Sequence, residues 1–171
     1  MRPALIPAST ILASVQGSYN AIWVRGLFGE DTFYYGRGAG PKPTGVAVVS
    51  DLMRVAREIR SGSPERVSPF AHPRLGEYKP IPVTLQKAAY YLRFRVKDRP
   101  GIIAALSSIL AAKHISLDAV LQLPSESKDN LPFVITVEPT SEKEIRGAVA
   151  EMNDLNFMVE PALAMPMEKG L

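Results

Sequence analysis

Tyr90-Tyr-Leu-Arg-Phe-Arg-Val96, then Asp98-Arg-Pro-Gly101, then the run from Ile102 to Lys113, is the stretch that decides the fold of the second half of the chain. Tyr90, Leu92, Phe94 and Val96 alternate with Tyr91, Arg93 and Arg95, so one face is apolar and the other polar. That period of two predicts a half-buried strand. Asp-Arg-Pro-Gly breaks it. Beyond the break, Ile102, Leu106, Ile109 and Leu110 fall at helical spacing.

Working outward, residues 115–123 predict a second strand, 124–130 a polar turn and 132–137 a third strand. Residues 141–155 predict a second helix on Ile145, Val149 and Met152. Ser141 and Glu144 stand three apart, the spacing at which each side chain can bond the other residue's backbone N–H. Residues 157–165 predict a fourth strand. Strand, helix, strand, strand, helix, strand is the ferredoxin-like order, a four-stranded antiparallel sheet with two helices on one face.

Towards the amino terminus, 61–82 holds Gly62, Pro64, Pro69, Pro73, Gly76, Pro80 and Pro82 with no apolar period. It reads as a linker, and limited proteolysis is expected to cut between Ser63 and Pro82. His72, beside a proline in this stretch, reads as a surface residue. Residues 44–60 predict a helix on Val48, Leu52, Val55 and Ile59, with Arg54, Arg57 and Arg60 off the stripe as a solvated face. Residues 3–7 and 19–26 predict short strands, 11–15 a helical turn, and 30–35 the return arm of a hairpin. These strands are apolar on both faces and need cover. That cover is expected from the second unit or from a second copy, and a homodimer is the expected assembly.

Between hairpin and helix lies Tyr35-Gly-Arg-Gly-Ala-Gly-Pro-Lys-Pro-Thr44. Glycine at 36, 38 and 40 lets backbone approach a ligand closely, and the helix beyond offers free N–H groups. The spacing is not the dinucleotide fingerprint, because Pro41 stands where the third glycine belongs, and it is not a P-loop. A ligand edge and a tight packed turn both fit the residues.

The chain has 171 residues, room for one or two small domains. Its 20 basic residues are interspersed with 17 acidic ones, which points away from nucleic acid. It lacks cysteine, which excludes disulfides and thiolate metal sites and fits a cytoplasmic setting. No apolar run is long enough for a membrane span or a secretory signal.

Two resemblances join these readings. Asn20-Ala-Ile-Trp-Val-Arg-Gly26, Tyr35-Gly-Arg-Gly-Ala-Gly40, Pro43-Thr44 and Ala47-Val-Val-Ser-Asp51, in that order, resemble the closing part of the catalytic domain of homoserine dehydrogenase. Asp98-Arg-Pro-Gly-Ile-Ile103 with His114-Ile-Ser-Leu117 resembles an ACT domain, a ferredoxin-like module that typically binds amino acids. His114 stands where that family usually has glycine, and it can serve as the helix end in its place.

The resemblance implies an α+β chain: a partial catalytic-domain sheet and helix over 1–62, a Pro-rich linker over 63–88 and an ACT regulatory domain over 89–171. It implies an NAD(P)-dependent enzyme of threonine and methionine biosynthesis, with Gly40, Gly38 and Thr44 near the nicotinamide cofactor. It implies an amino-acid effector, threonine first, at Asp98, Arg99, Gly101, Ile102 and Gln122. Asp-Arg-Pro-Gly also reads as no more than a good turn and helix start. The family's dinucleotide fingerprint and catalytic lysines have no counterpart here, and Lys42 does not match one. No catalytic residue and no metal ligand is therefore assigned, and the chain is expected to be inactive without the missing amino-terminal portion. The alternatives are a free-standing amino-acid-binding module and a ligand-free dimerising remnant.

Overall fold

A computed structural model describes residues 2–62, 79–122 and 128–170. The chain divides into two compact units, Ala8–Lys79 and a second made of Met1–Pro7 with Pro80–Leu171. The residues 63–78 of the expected linker, His72 and most of the expected cleavage zone lie outside the described residues, as do 123–127 of the polar turn.

The first unit opens with a short 3-10 helix, Ile11–Ser14. Strands β1 (Tyr19–Gly26) and β2 (Glu30–Arg37) follow as an antiparallel pair in unbroken register from Tyr19↔Arg37 to Gly26↔Glu30. Leu27, Phe28 and Gly29 make the turn, and Glu30 closes it at a φ of 53°, a left-handed conformation of the kind that short hairpin loops require. Helix α1 runs Pro41–Arg60. It starts at Pro41, three residues before the expected Thr44. The first N–H groups of a helix have no partner inside it, so Pro41 and Pro43 cost no hydrogen bond there. No residue of β1, β2 or α1 is buried. Leu52 and Ile59, on the apolar stripe of α1, are 64% and 70% exposed.

The second unit holds the core. Its strands are β3 (Lys87–Val96), β4 (Leu117–Leu121), β5 (Leu131–Ser141) and β6 (Leu163–Met167), with α2 (Ile102–Ala112) and α3 (Glu142–Asn153) between them. The sheet order is β4-β5-β3-β6, all antiparallel, which is the ferredoxin-like arrangement. Tyr90, Leu92, Phe94 and Val96 are buried, as are Leu131, Phe133, Ile135 and Val137 of β5. Leu106 and Leu110 of α2 and Ile145, Ala148 and Met152 of α3 complete one cluster with them. Phe94 and Phe133 stack at 5.1 Å across the β3–β5 pair.

Several boundaries differ from the sequence reading, each for a physical reason. β3 starts at Lys87, inside the expected linker, because residues 87 and 88 already pair with Ser141 and Thr140. β5 runs to Ser141 and passes directly into α3, whose capping box is present as expected. β6 starts at 163 rather than 157. Phe157 is instead a buried turn residue whose carbonyl accepts from Lys97 N–H at 2.8 Å. Residues 3–7 leave the first unit altogether. Leu5 bridges Met167 in parallel, donating to Pro166 O at 2.8 Å and accepting from Glu168 N–H at 2.9 Å. The outer side of β6 is thus paired there, and β4, exposed throughout, is the other edge.

The end of α2 follows the expectation for His114. It sits at a φ of 55° just past the cap Lys113. His114 N–H donates to Ala111 O at 3.0 Å and Ile115 N–H to Leu110 O at 2.9 Å. That bond pair is the Schellman closure, and buried Ile115 supplies its apolar contact. The expected second strand therefore starts at 117, not 115. A left-handed residue with a Cβ carries a penalty that glycine avoids. His114→Gly is expected to stabilise the unit by up to about 1 kcal/mol, read as a raised midpoint in denaturant.

Candidate functional site

The loop between β3 and α2 is held by backbone bonds at both of its flanks. Asp98 N–H donates to Lys128 O at 2.6 Å, and Lys97 is tied to Phe157. Gly101 takes a φ of 91°, which lets the chain turn straight into α2. No side chain caps α2, and no acid stands in its first turn. Its first N–H groups and the positive end of its dipole therefore face outward.

Beside this turn lies a cavity of ≈ 300 Å³. Asp98, Arg99, Gly101, Ile102 and Gln122, the five residues expected around an effector, all line it. Sequence reasoning missed Ile103, Ala104, Leu131 and Phe133, which line it too. Leu131 and Phe133 come from β5, across the sheet, and no spacing near Asp98 points to them. The Arg99 guanidinium lies 4.6 Å over the Phe157 ring, which holds it near the mouth. A carboxylate, a guanidinium, an amide and an open helix start above an apolar floor can hold a small zwitterion. Among the described residues no group of His, Cys, Asp and Glu side chains could hold a metal ion.

The three residues expected near a cofactor lie at the β2–α1 junction. Gly38 N–H donates to Ser18 O at 3.0 Å. A Cβ on Gly38 would stand 1.5 Å from Asn20 Nδ2, so the Asn20 amide occupies the space glycine leaves. Gly40 caps α1 at a φ of 133° and accepts from Thr44 N–H at 3.1 Å. Gly38 lines an open cavity of ≈ 270 Å³ with Asn20, Ile22 and Tyr35; Gly40 and Thr44 do not.

A second group of polar side chains, unread in the sequence, lies at the opposite end of β3. Glu142, 6% exposed, accepts from Tyr90 OH at 2.5 Å and from Arg146 Nε at 2.7 Å, and also pairs with Arg2. Arg2 Nη1 donates to the Tyr90 oxygen as well, at 3.0 Å. Burial pushes the Glu142 carboxyl up, but Tyr90 and the two guanidinium groups outweigh it and hold the carboxyl below its ordinary value. Burial and the Glu142 contact push the Tyr90 phenol up.

The second unit is an ACT domain: residues 90–157 match the ACT domain family, and the strand order agrees. Residues 1–53 match the homoserine dehydrogenase family. The chain is 33% identical to the homoserine dehydrogenase of Pseudomonas aeruginosa, over 99% of its own length and 40% of that protein. It is 33% identical to that of Neisseria gonorrhoeae, over 98% and 39%. A solved structure of a homoserine dehydrogenase from Thiobacillus denitrificans superposes with a TM-score of 0.81 at 34% identity, covering 98% of this chain and 38% of that one. The chain thus belongs with the homoserine dehydrogenases, as their carboxy-terminal region ending in an ACT domain, and it spans about 40% of the length of the curated relatives it matches.

Proposed function

We propose that this chain contributes a regulatory amino-acid site and one wall of a cofactor site to an NAD(P)-dependent homoserine dehydrogenase, which interconverts aspartate semialdehyde and homoserine. In that reading residues up to 62 close the catalytic domain and 89–171 sense an amino acid, threonine first. The observation that carries the sensor half is the cavity at Asp98. Its anion, its cation and its open α2 terminus suit the ammonium and carboxylate of one amino acid.

The cofactor half rests on the resemblance and on a partial fit. The uncapped start of α1 at Gly40 can meet a polar ring, and Thr44 stands one turn further on. Gly38 is explained within the chain by Asn20. The nicotinamide would supply the hydride; Gly40, Gly38 and Thr44 would set only its approach. The apolar residues left open on β1, β2 and α1 support assembly with further parts of such an enzyme and with a second copy of the chain.

Calorimetric titration of the chain with L-threonine tests the sensor half. Saturable heat is expected, and Asp98→Ala should weaken binding about tenfold or more. That carboxylate has no partner among the described residues, so the substitution leaves the fold intact. No heat at millimolar threonine, or equal binding by the variant, counts against this reading.

A further inference from the structure

The Arg2–Tyr90–Glu142–Arg146 group borders a cavity of ≈ 350 Å³, separate from the one at Asp98. The floor is aliphatic, from Ile145 and Val149 of α3 and Ala162 and Ala164 at the start of β6. The rim carries two cations and one anion. Glu142 offers Oε1 to Arg146 and Oε2 to Arg2 and Tyr90, so its two oxygens are used by both guanidinium groups at once. Each guanidinium has five N–H donors. Arg146 spends only Nε here, its side chain is 72% exposed, and neither arginine has another acid partner among the described residues. The site therefore holds one positive charge in excess, with unused donors above an apolar floor.

We propose that this cavity binds a small aliphatic carboxylate, held by the free guanidinium edges of Arg146 and Arg2 with its hydrocarbon end on Ile145 and Val149. Pro3 lines the same cavity, and Arg2 and Pro3 belong to the segment whose Leu5 pairs with β6. An occupant would touch both that segment and α3, and so hold residues 2–7 on the sheet. The site does not depend on the sensor reading, since none of its residues lines the Asp98 cavity.

Sodium butyrate is the probe, titrated into the whole chain and followed by amide chemical shifts, with butylammonium chloride as the charge control. Saturable shifts are expected at Tyr90, Glu142, Ile145, Arg146 and Ala164, together with slower hydrogen exchange at the Leu5 and Glu168 amides. Arg146→Ala, at an exposed position, should weaken binding about tenfold or more. Arg2→Ala should do the same and also abolish the change at Leu5. The proposal is overturned by shifts confined to residues 98–104, by equal response to butylammonium, by undiminished binding in Arg146→Ala, or by no saturable shift at all.

Discussion

Phe94→Ala is expected to destabilise the ACT unit by about 3–5 kcal/mol, the largest effect of any single substitution considered. Phe94 is fully buried, stacks on Phe133 at 5.1 Å and sits in the central pair of the sheet, β3–β5. Truncation removes the transfer free energy of the ring and leaves a hole that Leu92, Val96 and Ile135 cannot fill without breaking register. Small domains have only about 5–15 kcal/mol of stability, so much of the fold is at stake. Urea unfolding followed through backbone circular dichroism gives the measurement. A loss under about 1 kcal/mol would mean that Phe94 is not in the core.

Glu142→Ala is expected to cost about 2–3 kcal/mol, because it strips the acceptor from a buried phenol and from Arg2 together. The loss stays below that of a fully buried ion pair, since the Arg146 side chain is 72% exposed and turns to water instead. The sign with pH follows from the carboxyl being held below its ordinary value. Its contribution is complete above the unfolded carboxyl value, near pH ~4.3, and is lost as pH falls through the lower folded value. Stability of the native chain should therefore fall more steeply on acidification than that of Glu142→Gln. Glu144 and Asp118 are shifted the same way but remain in both proteins, so the difference isolates Glu142. Parallel stability–pH curves for the two proteins would refute the pairing.

The parts of this chain legible from sequence are those governed by neighbours a few residues away. The alternation of Tyr90 to Val96 is one, the Ser141–Glu144 cap is a second, and His114 as the helix end is a third. The five residues expected around an effector come from the resemblance, and they line one cavity because the turn at Gly101 and the end of β4 both border it. What was illegible depends on partners far along the chain. Leu5 reads as a short strand of the first unit, yet its backbone bonds go to Pro166 and Glu168. Glu142 carries no signal in the sequence, and only Tyr90 and Arg2, brought from two other segments, make it a buried acceptor. Phe157 reads as the first residue of a strand; the packing of its ring in the core makes it a plug before β6 begins. At Gly38, sequence shows the missing side chain but not that Asn20 fills the gap.

Because residues 2–7 lie with the ACT sheet while 8–79 form a unit of their own, the chain leaves the ACT unit and returns to it. The polypeptide is a loop pinned at both feet, one foot by the peptide bond into Pro80 and the other by hydrogen bonds at Leu5. A protease nick between the feet would sever the covalent route but leave the second anchorage, so the two pieces should travel together through a sizing column until Arg2 and Leu5 are prised from the sheet.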